Sequence, residues 1–398
     1  MFKIAWRNVL RNKRRSLLSL LIIIIGVAVL FLVKGYFTAT YDGLKMMSIS
    51  RNGHMQIATD GYWNNMEGEE RYLNKDQMDK IKEILNEREE IKGYTTELKI
   101  SGILGTEQGS TIISGIGIQP GKGDSYMVTE GLNLFPGDKN RVLIGEGIKK
   151  KLNLGMDEWV SVMSTTLNGA YNAASLQISG AISMGNSDAD NFYVVMPLSF
   201  AQNILNTDGV DKFIVNLTET EDTEQVIGWL NSRFEEEGLS LQIKSWSDLA
   251  IFYHQVKGMY DMMSTFLSTV IFILVFFSIM EIMSMAFFER MAELGTVRAV
   301  GTKRYQIFIQ LVEEALILGI IGVIIGSFAG WGLGSLLNQL NITYTPPSMS
   351  QPVQLYFSLA IKNAYIPILI GLISTILSAV YPANKAARLN IIEMLRHV

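Results

Sequence analysis

The sequence contains no cysteine and only three histidines, His54, His254 and His397, which lie far apart along the chain. Without cysteine the chain can form neither a disulfide framework nor a thiolate metal site, and it has no cysteine nucleophile. The histidines have no ligand-like spacing to one another, so we expect no metal site. These absences exclude several chemistries, but they do not identify a compartment.

Charged residues are also scarce. They make up 18% of the chain, whereas a typical soluble protein carries about 25%. Residues 40–258 hold 31 acidic and 19 basic side chains, a net charge of −12, whereas the rest of the chain has a net charge of +8. The sequence therefore places an acidic globular block within a basic, apolar frame.

Four apolar stretches are long enough to cross a bilayer, which takes about 20 residues. We assign the four transmembrane helices to residues 17–39, 259–288, 305–338 and 361–384. The first could alternatively be a cleaved signal peptide because it follows a basic segment. Its apolar run is longer than the usual 7–15 residues and no A-x-A site follows, so we predict a retained helix.

The lysines and arginines that flank these stretches predict their direction. Basic side chains precede the first stretch, occupy residues 289–304 and recur in the tail 385–398, whereas the short segment between the third and fourth stretches offers only Lys362. Because positive charge is retained on the inner side of the membrane, both termini and residues 289–304 are predicted to be cytoplasmic. Residues 40–258 and 339–360 are then predicted to lie outside.

The N-terminal residues 1–16 combine apolar residues at helical spacing with several arginines. This pattern predicts an amphipathic helix on the inner membrane surface, although a simple basic flank would also explain the arginines. The residues expected to anchor the helix are Trp6, Arg7, Arg11, Arg14 and Arg15.

Residues 40–258 exceed the commonest domain size, so we expect one bilobed domain or two subdomains. Extended stretches alternate with two helical segments, Asn74–Arg88 and Glu221–Phe234. Asn74 with Gln77 three residues later is typical of a capping box. This mixed order predicts the fold class: an α-helical membrane protein with a large α+β extracytoplasmic domain inserted between helices 1 and 2.

A glycine-rich stretch over residues 115–123 resembles a nucleotide-binding loop only superficially. Its glycine spacing is wrong, and Gly123 follows Lys122 where a phosphate-binding loop needs Ser or Thr. A strand that ends in a turn explains it better. No Ser/His/Asp spacing supports a catalytic triad, so we expect a non-catalytic chain.

Two features lie inside the predicted membrane helices. Four glycines in the third helix recur at every fourth residue and predict a close-packing face, with the partner helix undetermined: Gly322, Gly326, Gly330 and Gly334. Three carboxylates lie toward the cytoplasmic side: Glu281, Glu313 and Glu314. Either they form hydrogen bonds near helix ends, or they transmit motion between the second and third helices.

Three stretches carry a resemblance to a known family. The first stretch, residues 5–16, reads AWRNVLRNKRRS. The second, residues 289–301, reads ERMAELGTVRAVG, with Glu314-Ala315 further along the chain. The third, residues 381–389, reads YPANKAARL. With the order of one span, a large domain and three further spans, they resemble permease subunits of ABC transporters of the FtsX/MacB/LolC–LolE family. The middle stretch is the most specific, because it is similar to the family's E-R-x-x-E-I-G-x-x-R-A-x-G loop.

Looser similarities within the outer domain favour the lipoprotein-releasing branch. They are the stretches GIQP at residues 117–120, IGEG at 144–147 and MPLSFAQ at 196–202. The stretch GMDE at 155–158 lacks the second glycine usual in that region, which leaves the branch open.

The resemblance implies a mechanism called mechanotransmission, in which a separate ATPase subunit binds ATP and Mg and moves the permease helices. Residues 289–304 would form a coupling helix that docks into that ATPase. The residues implied in coupling are Glu289, Arg290, Glu293, Leu294, Gly295, Arg298, Ala299 and Gly301. A second permease chain, identical or related, would complete the complex in the bacterial inner membrane.

The expected cargo is a lipoprotein, a peptide or another amphipathic molecule, with a possible periplasmic acceptor or adaptor and no nucleic acid. Two alternatives share the architecture. One is an FtsX-like regulator of cell-wall hydrolases, which usually has a smaller outer domain. The other is an antimicrobial-peptide sensing complex, which usually has more than four spans.

Overall fold

The computed structural model describes residues 2–64, 71–121, 126–345 and 352–389. The chain forms two compact units. The helical unit comprises Met1–Gly43, His254–Thr343 and Gln354–Val398, and the α+β unit comprises Leu44–Tyr253 and Tyr344–Val353. The predicted fold class is confirmed: the described chain has apolar helices long enough to span a membrane and a mixed-sheet domain between the first and second of them.

The helices follow one another along the chain as α1 (Phe2–Arg11), α2 (Lys13–Asn52), α3 (Lys75–Leu85), α4 (Glu146–Leu152), α5 (Ser187–Asp190), α6 (Leu198–Leu205), α7 (Thr223–Glu236), α8 (Trp246–Leu249), α9 (Ile251–Glu289), α10 (Met291–Ala299), α11 (Arg304–Gln339) and α12 (Tyr365–Arg388). The membrane-spanning candidates are α2, α9, α11 and the segment Ile361–Arg388, which contains α12.

The strands are β1 (Met55–Thr59), β2 (Ile91–Thr106), β3 (Gly109–Ile118), β4 (Met127–Gly131), β5 (Arg141–Gly145), β6 (Trp159–Thr165), β7 (Tyr171–Ser183), β8 (Tyr193–Pro197), β9 (Lys212–Leu217), β10 (Leu241–Ser245), β11 (Thr343–Tyr344) and β12 (Val353–Gln354). The first ten form one sheet in the order β10-β1-β9-β2-β3-β8-β5-β7-β4, with β6 against β2 and β7. The pairs β3–β8 and β5–β7 are parallel, and the others are antiparallel.

The first two helices differ from the expected boundaries. A single helix was expected over residues 1–16, but α1 ends at Arg11 and residues 13–16 belong to α2. The Ser16 hydroxyl donates to the Val9 carbonyl at 2.8 Å, which satisfies an acceptor at this interruption. With 40 residues, α2 is about 60 Å long, roughly twice the hydrocarbon thickness of a bilayer, so it extends well beyond the predicted span 17–39.

The glycine face of α11 lies against α2 of the same chain. A Cβ atom added at Gly322 would lie 2.6 Å from Ile23 Cγ2, and one at Gly330 would lie 3.0 Å from Phe31 Cβ. At Gly326 it would lie 3.0 Å from the carbonyl oxygen of Ile24. The absence of side chains therefore lets the two backbones approach closely.

The sheet of the α+β unit carries two apolar clusters. The larger contains Leu98, Ile100, Phe213 and Val215 and lies beneath α3, α6 and α7. The smaller contains Ile116, Ile118, Leu134, Leu143, Ile182 and Val195. Successive residues of a strand point to opposite faces of a sheet, and for this reason Ile113 of β3 joins the larger cluster whereas Ile116 and Ile118 join the smaller one.

Two local features predicted from the sequence, a capping box and a glycine-rich strand, are present in this unit. The Asn74 side chain accepts from the Gln77 backbone N–H at 2.9 Å, and the Gln77 side chain accepts from the Asn74 N–H at 3.0 Å, which completes the capping box of α3. The glycine-rich stretch is a strand up to Ile118, and a Cβ at Gly117 would lie 2.4 Å from Ala201 Cβ of α6. Lys122 and Gly123 lie outside the described residues.

His54 gives the stability of the α+β unit an expected pH dependence. Its ring is buried, accepts from the Leu217 N–H at Nδ1 and lies 3.2 Å from the Thr220 hydroxyl at Nε2. Burial lowers the pKa of His54, an effect that the nearby Lys45 reinforces and Glu221 opposes. The unfolded chain therefore binds the proton more readily than the folded chain.

We expect the free energy of unfolding of this unit to fall as the pH drops below about 6.5, where an unfolded histidine becomes protonated. Denaturant unfolding of the full chain at pH 7.5 and pH 5.5 would measure this change. His54→Gln keeps a donor and an acceptor without the titration and should reduce the difference. An equal pH dependence in the variant would show that other groups cause it.

Candidate functional site

The short helix α10 connects the end of α9 to the start of α11 and has one buried face. Met291 and Leu294 of this face pack into an apolar cluster whose other members are Phe287, Ile307, Leu311, Ala383 and Ala386. Gly301 has a φ of +111°, a conformation that favours glycine, and it forms the turn into α11. The neighbouring helices therefore hold α10 in a fixed orientation.

Away from this buried face, α10 and the residue that follows it expose apolar side chains. Val300 is 90% exposed and Val297 is 45% exposed, and both lie beside the exposed Thr296 and Gly301. The basic residues Lys303 and Arg304 follow directly and are also exposed. Exposed apolar residues rimmed by polar groups are typical of a protein-binding surface.

The eight residues implied in coupling divide between the two faces. Arg290, Leu294, Gly295 and Arg298 are buried, whereas Glu289, Glu293, Ala299 and Gly301 are exposed. The Arg298 guanidinium donates to the carbonyl of Leu389, just after α12. The four buried residues can thus position α10, but they cannot contact a partner directly.

Sequence reasoning missed Val297 and Val300. The helical period of 3.6 residues would have assigned Val300 to the outward face, because it lies about 180° around the helix from the buried Met291. Val297 is only three residues from the buried Leu294, so its exposure could not be predicted from the period.

A cluster of polar side chains surrounds the Glu314 carboxylate on α11. Oε1 of Glu314 accepts from Asn8 Nδ2 of α1 at 2.7 Å, and Oε2 accepts from Arg290 Nη1 at 3.0 Å. Gln310 Nε2 lies 3.4 Å from the same carboxylate. The side chains of Arg290 and Glu314 are each only 10% exposed, so this is a buried ion pair.

Two arginines predicted as membrane anchors pair with carboxylates of the 289–293 segment. Arg11 donates to both oxygens of Glu293, at 2.9 and 2.7 Å, and Arg15 forms an ion pair with Glu289. The other predicted anchors, Arg7, Arg14 and Trp6, are exposed. Together with the Asn8–Glu314 bond, these pairs join the N-terminal region to α9, α10 and α11.

The other two intramembrane carboxylates lie outside the Glu314 cluster. Glu281 is exposed on α9. Glu313 is half-buried, and its Oε2 has no hydrogen-bond partner among the residues that the structure describes. Of the three predicted carboxylates, only Glu314 connects the end of α9 to α11.

This arrangement can transmit a displacement of α10. A force on its exposed face would pass to α11 through the buried Arg290–Glu314 pair and to α1 through the Arg11–Glu293 pair. Charge-assisted hydrogen bonds of this kind are stronger and more directional than neutral ones. The site is therefore suited to mechanical coupling.

Comparison with known families identifies two domains in this chain. Residues 16–232 match the MacB-like periplasmic core domain, and residues 265–391 match the FtsX-like permease C-terminal domain. The first match alone covers more than half of the chain. The chain therefore belongs to the family of ABC transporter permeases that carry these two domains.

Proteins similar to this chain include transporters whose names state different functions. The "Macrolide export ATP-binding/permease protein MacB" of Chlorobium luteolum is 24% identical over 99% of this chain and 59% of that protein. The "Lipoprotein-releasing system transmembrane protein LolC" of Xylella fastidiosa is 22% identical over 67% of this chain and 66% of that protein. The chain thus spans less than two thirds of the length of these curated relatives.

Solved structures give weaker similarities. The periplasmic region of MacB from Actinobacillus actinomycetemcomitans covers 50% of this chain and 92% of its own, with a TM-score of 0.37 and 14% identity. The extracellular domain of the ABC-type transporter YknZ covers 48% of this chain and 99% of its own, with a TM-score of 0.35 and 12% identity. The family assignment depends on the two domain matches.

Proposed function

We propose that this chain is the permease component of an ABC transporter and that its ATPase docks on the exposed face of α10. The observation that carries the proposal is the division of α10 into a buried face around Leu294 and an outward face with Val297 and Val300. The ATPase that binds ATP and Mg lies outside these 398 residues. Under this proposal α1, α10 and the tail lie on the cytoplasmic side, as their lysines and arginines indicate.

The same proposal gives the ion pairs a mechanical role. ATP-driven closure would displace α10, and the Arg290–Glu314 pair would carry that displacement into α11. The Arg11–Glu293 and Arg15–Glu289 pairs would move the N-terminal helices with it. Mechanotransmission of this kind needs no passage for cargo through the chain itself.

We propose that the cargo is an amphipathic molecule extracted from, or released at, the outer side of a bacterial inner membrane. The MacB-like domain would lie on that side, and a second permease chain, identical or related, would complete the transporter. A periplasmic acceptor or adaptor could receive the cargo. The names of the relatives refer to macrolide export and to lipoprotein release. They support an amphipathic cargo class but do not select one of these two cargoes.

The docking surface can be tested with Val300→Asp. An ionised aspartate would need to be desolvated at the interface, so we expect about a 100-fold loss of affinity for the ATPase, or no detectable complex. Affinity purification from native membranes in mild detergent, with non-hydrolysable ATP and quantitative mass spectrometry, measures the ATPase retained.

Val353→Asp is the matched control, because Val353 is an exposed valine in the α+β unit. This control should retain the ATPase at the wild-type level. If the wild-type chain retains no ATPase, the permease proposal fails. If Val300→Asp retains as much as the wild type, the ATPase does not dock on α10.

A further inference from the structure

The α+β unit contains a groove of about 370 Å³ on the face of its sheet opposite the larger apolar cluster. Its floor is formed by β2, β3 and β9, and the last turn of α2, including Met47 and Arg51, forms one wall. The other wall comes from residues 126–127 and 183–185. This volume is within the range of about 300–1,000 Å³ that is usual for small-molecule sites.

The lining of the groove is amphipathic. One end is apolar, since its side chains belong to or pack against the smaller apolar cluster: Ile116, Ile118, Tyr126, Met184 and Tyr193. Met127 and Met47 add exposed, flexible thioether side chains that can adapt to an apolar ligand. The other end carries Thr95, Glu97 and Lys212 from β2 and β9.

The wall formed by α2 carries one positive charge that no ion pair offsets among the described residues. Lys212 pairs with Glu97 at 3.0 Å and donates to Gln56, so these two charges offset each other. Arg51 has no carboxylate within ion-pair distance among the described residues, although the surrounding block 40–258 has a net charge of −12. Nearby, Tyr193 stays neutral because burial raises its pKa.

A buried polar atom at the polar end of the groove also lacks a partner. Thr95 lines the groove, and its hydroxyl, which is closed off from solvent, has no hydrogen-bond partner among the residues that the structure describes. An unsatisfied buried hydroxyl costs free energy, and a change of the Thr95 rotamer would let the hydroxyl donate to a ligand oxygen in the groove. Charge and hydrogen bonding thus both favour an acidic oxygen-bearing group.

We propose that this groove binds a single-chain amphipathic acid, with its apolar chain along Ile116, Ile118 and Met184 and its acidic group at Arg51. This inference rests on the proposed transport of amphipathic cargo and assigns that cargo a chemical class and a site. A peptide fits less well. The floor strands β9, β2 and β3 are already paired on both sides, so they leave no backbone groups for a peptide to bond.

Photo-crosslinking can locate the ligand. The full chain in phosphatidylcholine nanodiscs, without ATPase or nucleotide, would be labelled with a diazirine-bearing decanoic acid and mapped by mass spectrometry. We expect labels at residues 47–52, 116–118, 126–127, 183–185 and 193. Decanoate should compete for labelling, whereas decyltrimethylammonium should not, because Arg51 repels a cation.

Arg51→Gln should reduce groove labelling about ten-fold through loss of the charge-assisted bond, and Met127→Asp should reduce it by repelling the acid. Both residues are exposed, so unfolding temperatures should match the wild type. Lys139→Gln removes an exposed charge of the same domain outside the groove lining and should leave labelling unchanged.

Several outcomes would overturn the groove proposal. They are labelling confined to the transmembrane helices, labelling unaffected by Arg51→Gln, equal competition by the cationic analogue, and displacement by an acidic peptide but not by decanoate. Since this assay contains no ATPase, its failure leaves the Val300→Asp test of the permease function untouched. A negative ATPase purification would likewise leave labelling of the groove measurable.

Discussion

Arg290→Met should destabilise the helical unit by about 3–5 kcal/mol, because it removes the cation from a buried ion pair and leaves the Glu314 carboxylate without it. Asn8 and Gln310 would still donate to Glu314, but neither carries a charge. Equilibrium unfolding of the full chain in detergent micelles would measure the change. This is among the largest effects expected of any single substitution in the chain.

Two further variants test whether the lost stability arises from the unpaired buried charge of Glu314. Arg290→Met combined with Glu314→Leu removes both charges and should recover most of the lost stability, since apolar replacement of a buried pair is often neutral or stabilising. Arg11→Met breaks a pair whose side chains are 59% and 57% exposed, so we expect a loss of at most about 1 kcal/mol. A stable Arg290→Met single variant would show that water or a local rearrangement compensates Glu314.

The double variant also separates folding from coupling. It should fold and keep Val297 and Val300 exposed. It lacks the Arg290–Glu314 ion pair that connects the end of α9 to α11. We therefore expect the ATPase to bind while its activity no longer responds to the permease. If the ATPase activity still responds to the permease in this variant, the displacement of α10 passes to α11 through the apolar packing around Leu294 and Leu311 instead.

Sequence patterns predicted the local features of this fold well. The apolar runs indicated the four long helices, and Asn74 with Gln77 indicated the start of α3. Such features depend on neighbours within about four residues, so periodicity and capping chemistry are sufficient to recognise them.

The contacts that assemble the site could not be predicted in the same way. Arg11 and Glu293 are 282 positions apart, and Asn8 and Glu314 are 306 apart. No local pattern specifies such pairs, and for this reason Arg11 and Arg15 were interpreted as membrane anchors. The order of the ten-stranded sheet, with β3 parallel to β8, depends on long-range pairing of the same kind.

Gly326→Leu should be comparably damaging, with an expected loss of about 3 kcal/mol or more from overpacking. The atoms nearest to a Cβ at this position are Val27 Cβ at 2.9 Å, the Ile24 carbonyl oxygen at 3.0 Å and the Ile24 Cα at 3.1 Å. Two of these belong to the backbone of α2, so no rotation of a side chain can relieve the contact. The helices must separate, which loses packing along the whole glycine face.

Gly332 provides a matched control on the same helix, because a Cβ there would meet open space. Gly332→Leu should leave stability unchanged or raise it by up to about 1 kcal/mol, since leucine has the higher helix propensity. Unfolding of both variants in detergent would show the difference. Equal stability of Gly326→Leu and Gly332→Leu would mean that α2 and α11 are not held at the close separation that the glycines permit.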